Sequence, residues 1–271
     1  MDSSLPPRPR LAVSLASAHH TDIGQVRAVN QDSLLVLEMD KVNQSMPGPL
    51  GLYVVADGLG GHEGGEIASG LVVSAIARSA QAELLRTFIE GSLDETATVN
   101  WMHSAVKQAN QEVYEKRTAA GNDMGSTLVM VVVNGLAVCV AHVGDSRAYR
   151  LTTSGELERL TYDHSLVEEL VKAKQITPAQ AKDHNLGSLV YKTMGLKEEA
   201  EPEVRMLQIE SGDRLILCCD GLNGMIDDEQ ITAIAHAASS PAEAAHRLVT
   251  AANDAGGRDN ITVIVVEATV R

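Results

Sequence analysis

Aromatic side chains are scarce in this chain, at 3% of its 271 residues. A base-stacking surface for single-stranded nucleic acid has little to be built from. Positive charge is also short, and the formal net charge is −14. That balance argues against a nucleic-acid partner, which needs a basic face, and it suits a site for cations. No apolar run is long enough to cross a bilayer, so no membrane partner is expected. There are three cysteines, Cys139, Cys218 and Cys219, each inside an apolar run. This usage fits reduced, buried thiols in a cytoplasmic protein better than disulfides. The opening ten residues, MDSSLPPRPR, lack the apolar core of a signal peptide and read as a disordered leader. No proline- or serine-rich linker interrupts the middle, so residues 11–271 read as one domain, expected to act as a monomer.

What is present is 44% hydrophobic, enough for a large core. Apolar runs predict strands over residues 11–18, 33–38, 50–56, 204–209, 214–219 and 261–267. Two β-branched runs, 126–133 and 136–143, flank Asn134-Gly135, a strong hairpin signal, and 148–151 with 157–160 form another antiparallel pair. Helical spacing predicts one helix over 66–89 and, capped by Ser92, a second over 96–118. A further pair is predicted over 227–237 and 241–252. Between them, residues 163–194 change texture to short polar helices, 165–173 and 178–182, which read as an inserted flap. Strands and helix pairs in this order predict an α+β domain of layered antiparallel sheets rather than a βαβ alternation.

The most informative stretch is LYVVADGLGGHEGGE, residues 52–66. A buried strand ends at Asp57, and glycines follow that let other groups approach the backbone. Alone, Asp57 reads equally well as a helix cap. The pattern recurs, however, at Asp145 after the run 138–143 and at Asp220 after 215–219. Asp259, within Gly-Gly-Arg-Asp-Asn, precedes the last strand, and Asp32 lies beside the second. Carboxylates gathered at one rim repel and need cations or protons among them. Oxygen ligands without a His or Cys cluster favour Mg²⁺, Mn²⁺ or Ca²⁺ over zinc, and two ions sharing a carboxylate suit phosphoryl transfer. Other phosphate chemistries lack their motifs. No lysine follows a glycine, so there is no G-x-x-x-x-G-K-[ST] loop. No arginine follows Cys219 at short range, and no G-x-S-x-G elbow presents a serine. An activated water is the simplest nucleophile. His19-His20 reads as a solvated loop pair, and His142 as a satisfied core histidine.

Six stretches occur in the order of a known family: Thr21-Asp22-Ile23-Gly24 with residues 27–32, VADGLGGH at 55–62, Gly125-Ser126-Thr127, VGDSRA at 143–148, CDGL at 219–222 and GRDNIT at 257–262. Together they resemble the bacterial branch of the metal-dependent protein serine/threonine phosphatases of the PPM (PP2C-type) family. The resemblance implies a four-layer α-β-β-α sandwich with a helical flap and a cleft holding two Mn²⁺ or Mg²⁺ ions. Asp57 would bridge the ions, with the Gly58 carbonyl on one; Asp220 and Asp259 would complete the other. Asp145, with Asp220, matches a third, weaker ion position. Arg27 would clamp the substrate phosphate and Asp32 would steer water, so that a metal-bridging hydroxide attacks phosphorus in line. Phosphorylated proteins, substrates of a bacterial serine/threonine kinase, would be the partners. The chain departs from the family at Gln31, which stands where many members have Glu and implies an altered affinity at the second ion. The flap end Tyr191-Lys192-Thr193-Met194-Gly195 also departs, and His62 falls too late in its motif to inherit a general-acid role. A catalytically silent module that binds phosphoproteins is the alternative, motivated by Gln31 and the flap, and a small-molecule phosphoesterase is a third reading.

Overall fold

A computed structural model describes residues 13–40, 48–60, 64–177, 180 and 189–270. The expected leader, the loop at 41–47, His62 and most of the expected helix at 178–182 lie outside the described residues. Among the described residues, eleven strands form two antiparallel sheets. The first has the order β1 (Val13–Asp22), β11 (Ile261–Val270), β10 (Arg214–Cys218), β7 (Arg147–Leu151) and β8 (Leu157–Arg159). The second has the order β2 (Asp32–Met39), β3 (Leu50–Leu59), β5 (Leu128–Asn134), β6 (Ala137–Val143) and β9 (Glu203–Gln208). A two-residue strand, β4 (Gly125–Ser126), pairs with the end of β3.

The inner strands read as unbroken apolar runs because both of their faces are covered. In β5, Leu128, Met130 and Val132 point to one apolar cluster, while Val129, Val131 and Val133 point to another. The first cluster is closed by α1 (Gly65–Ser79) and α3 (Glu95–Ala120), which pack on the second sheet. The other cluster lies between the sheets and also takes Leu215, Leu217, Ile264 and Val266 from β10 and β11. The opposite face of β11, with Ile261, Val263 and Val265, meets a third cluster. That cluster is covered by α6 (Asp228–Ala237) and α7 (Pro241–Asp254). Three apolar interfaces between four layers are the expected α-β-β-α sandwich.

Several boundaries differ from the sequence reading. β1 continues through His19 and His20 to Asp22, because that segment pairs with β11; the histidines are strand residues and not a loop pair. The first helix is interrupted by a π-turn at Ala80–Leu84 before a short α2 (Leu85–Ile89). Asp94, not Ser92, caps α3, accepting a hydrogen bond from the Ala97 N–H. The β5–β6 turn residues are Gly135 and Leu136, since Asn134 is still paired with Ala137. In the flap, α4 (Leu166–Lys172) starts at Ser165, whose hydroxyl accepts from the Glu168 N–H. A short helix, α5 (Asp220–Asn223), follows β10 where the sequence showed only Asp-Gly.

Candidate metal centre

The third strand does not stop at Ala56. Pairing of Gly58 and Leu59 with β4 carries β3 through Asp57 to Leu59. Asp57 therefore sits inside a sheet and its backbone is fixed. Its N–H donates to Thr127 Oγ1 at 3.0 Å, and its carbonyl accepts from the Thr127 N–H at 2.8 Å and the Ser126 hydroxyl at 3.1 Å. Thr127 Oγ1 also meets Ser146 Oγ at 2.7 Å, one residue beyond Asp145. Ser126 and Thr127 thus hold the acid-bearing segments in place.

Asp32 opens β2 directly opposite Asp57. Asp145 lies in the turn from β6 to β7, which passes from one sheet to the other. Asp220 begins α5 at the end of β10, and Asp259 precedes β11. The acids thus come from both sheets and meet at one end of the sandwich. Their electrostatics report the closeness. Burial, then the charges of Asp220, Asp32, Asp145 and Asp259, holds Asp57 far above the ordinary carboxylate range. Burial and the Asp220 and Asp259 charges push Asp32 up to about 6, against hydrogen bonds that favour its ionised form. Asp145 is pushed up to about 7 by burial and by Asp220 and Asp163. Asp220 is raised by burial and by Asp259.

Two buried acceptors in this group, Asp32 Oδ1 and Asp220 Oδ1, have no hydrogen-bond partner. Buried carboxylate oxygens are normally paired, and a hard divalent cation is the partner that several converging carboxylates and a glycine carbonyl suit. The donor set is all oxygen, as Mn²⁺ or Mg²⁺ requires, so the residues fit such ions. The other Asp32 oxygen accepts from Thr262 Oγ1 at 2.6 Å, which orients the carboxylate.

Arg27 lies at the mouth with its side chain half exposed, and Nη2 donates to Asp259 Oδ2 at 2.6 Å. That bond holds the guanidinium charge more firmly than usual. The Arg27 loop is pinned by one residue the sequence did not single out. Asn260 Nδ2 donates to the carbonyls of Ile23 and Val29, and its Oδ1 accepts from the Gln31 N–H. Gln31 turns its side-chain amide to Glu66 Oε2 at 3.2 Å. Only its position beside Asp32, inside Asn-Gln-Asp, marked Gln31 in the sequence; Glu66 looked like an ordinary helix start.

The flap is tied to this centre at both ends. Arg147 donates two bonds to Asp163, at 2.9 and 2.6 Å, linking the Asp145 turn to the flap entry. At the exit, Met194 exchanges backbone hydrogen bonds with Ser126, next to Asp57. A separate group, His142, His164 and Glu203, brings its ligand atoms within 4.8 Å of one another. Its rings are stacked at 4.7 Å and already engaged. His142 Nε2 meets the Tyr162 carbonyl, while His164 Nδ1 accepts from the Gly144 N–H and Nε2 faces Glu203. A metal lies in the plane of each imidazole that binds it, which two stacked rings do not offer. His142 is the satisfied core histidine the sequence reading expected. The three cysteines are free and buried.

The family described as protein phosphatase 2C matches residues 23–254. The chain belongs to that family. This protein phosphatase 2C chain is 35% identical over 249 residues to the protein phosphatase PhpP of Streptococcus pneumoniae, covering 91% of this chain and 94% of that one. It is 34% identical to the Mycobacterium tuberculosis serine/threonine phosphatase PstP/Ppp, with a TM-score of 0.78 over 93% of this chain and 98% of the other. The catalytic domain of a PstP phosphatase in complex with two manganese ions is 32% identical, with a TM-score of 0.79 over 95% and 100% of the two chains. The protein phosphatase 2C fold and an oxygen-lined centre therefore occur together in this chain, and the PstP neighbour of similar fold holds two manganese ions.

Proposed function

We propose that this chain is a metal-dependent protein serine/threonine phosphatase that hydrolyses phosphoserine and phosphothreonine. The observation that carries the reading is the convergence of Asp32, Asp57, Asp145, Asp220 and Asp259, with orphaned oxygens on Asp32 and Asp220, beside the half-exposed Arg27 guanidinium. Asp57 would hold both ions, Gly58 would add its carbonyl, and Asp220 and Asp259 would complete one ion's shell, with Asp145 at a weaker third position. When bound, the ions would supply an activated water and neutralise phosphate charge. Arg27, whose planar fork matches two phosphate oxygens, would orient the substrate. Asp32, held by Thr262, would accept a hydrogen bond from a water and fix its direction. The similarity to named serine/threonine phosphatases supports a phosphoprotein substrate, made by a serine/threonine kinase. Free, buried thiols support a reducing, cytoplasmic setting.

The test is phosphate release from a phosphothreonine peptide. Turnover should require Mn²⁺ or Mg²⁺. Asp57→Asn and Asp220→Asn should each lower kcat/KM by about 10³-fold or more, the scale of several kcal/mol of lost transition-state stabilisation. Undiminished turnover in excess chelator would overturn the reading. Preferential turnover of nucleotides or sugar phosphates would reassign the substrate class.

A further inference from the structure

Gln31 is delivered to its place by three segments. Its carbonyl accepts from the Gly58 N–H at 3.1 Å and from Ser69 Oγ at 2.6 Å, and its N–H donates to Asn260 Oδ1 at 2.8 Å. Ser69 is fully buried on α1, so the first turns of that helix are held against Gln31. The contact is too close for side chains on the glycines. A Cβ on Gly65 would come within 2.7 Å of the Gln31 amide and 2.8 Å of the Gly58 carbonyl oxygen, and a Cβ on Gly58 would collide with the Gly65 carbonyl. The Gln31 side-chain amide and the Gly58 carbonyl therefore both close in on Gly65. It ends on Glu66, in the first turn of α1.

A neutral amide brings no charge to an ion beside Gly58, but the carboxylate it is bonded to does. We propose that Glu66 is a positioning residue for the ion held at Gly58: it fixes the Gln31 amide by accepting from its NH₂ group, and it supplies the negative charge that Gln31 lacks. The proposal rests on the metal reading above and deepens it. Ion affinity in oxygen sites follows the number of charged groups near the ion, and loss of a partner that orients a ligand costs on the order of 10- to 100-fold.

The experiment is a Mn²⁺ titration of the full chain, followed by the electron paramagnetic resonance of free Mn²⁺ and by calorimetry, with no substrate present. The variants are Glu66→Gln, Gln31→Glu and the exchanged pair Q31E/E66Q; melting in chelator confirms that each is folded. Glu66→Gln should weaken one class of Mn²⁺ site about tenfold and leave the other within about twofold. Gln31→Glu should tighten the same class. The exchanged pair keeps one carboxylate and one amide, and should return to within about twofold of the original protein. A Glu66→Gln isotherm superimposed on the original, or an exchanged pair no better than Glu66→Gln, would overturn the assignment. Failure of the original protein to bind Mn²⁺ at all would overturn the metal reading, and the proposal with it.

Discussion

At the scale of single residues, the site depends on side chains that hold backbone rather than on reacting groups alone. Asn260 is nearly fully buried, and its side chain makes three hydrogen bonds to the loop that carries Arg27. Replacing it with alanine strands two carbonyls and one N–H, at about 1 kcal/mol for each lost bond. Asn260→Ala should cost about 3 kcal/mol by urea denaturation and should raise KM for a phosphopeptide more than it lowers Mn²⁺ affinity. An unchanged KM would show that the Arg27 loop holds its shape without the clamp. This residue sat within a legible motif, GRDNIT, but its task was hidden, because its partners are more than 200 positions away. The acids were legible for the opposite reason. Each interrupts or adjoins an apolar run, and a charge at the end of a buried strand is conspicuous in sequence.

At the scale of elements, the flap is joined to the sandwich through α3. Asn110, fully buried on that helix, accepts from the Gly195 N–H at 2.7 Å and donates to the carbonyls of Lys197 and Glu198 at 3.0 Å each. Arg117, two turns on, donates to the Gly195 carbonyl. Asn110→Ala should speed amide exchange over residues 189–198 by about tenfold or more while leaving β5 and β11 protected, because only the flap exit loses its partners. Equal acceleration in β5 would place Asn110 in the core instead. Elements covered on both faces were readable as continuous runs, and α1 and α3 by their helical spacing. The misses have local causes. β1 extends over polar His19, His20 and Thr21 because β11 offers pairing along its whole length, and such long-range pairing overrides composition. α3 starts at Asp94 because a carboxylate two residues beyond Ser92 caps as well and meets the Ala97 N–H.

At the scale of the whole molecule, proton and metal binding share one group of acids. Asp32 and Asp145 titrate near about 6 and about 7 when folded, against an ordinary value of 3.8. Between pH 4 and 7 these two acids therefore hold protons when folded that they have released when unfolded, and the stability they add to the metal-free chain falls as pH rises through that window. His164 acts in the opposite sense. Burial lowers it to about 4 from 6.5, so its contribution is lost as pH falls from 6.5 towards 4. His142, lowered by burial as well, acts in the same sense as His164, and both keep adding stability as pH rises until the unfolded imidazoles have lost their protons. The rise in melting temperature given by saturating Mn²⁺ should be larger at pH 7.5 than at 6.0, since ions and protons compete for the same oxygens. A Mn²⁺ shift independent of pH would contradict this linkage. β1, among the first strands made, pairs along its whole length with β11, the last. Asp259 and Asn260 arrive just ahead of β11, so a ribosome must have passed them before Arg27 meets its partner or the acid cluster is whole. A growing polypeptide that has not reached Asp259 would carry the early acids without the late one, and the chemistry would switch on only after that residue is made.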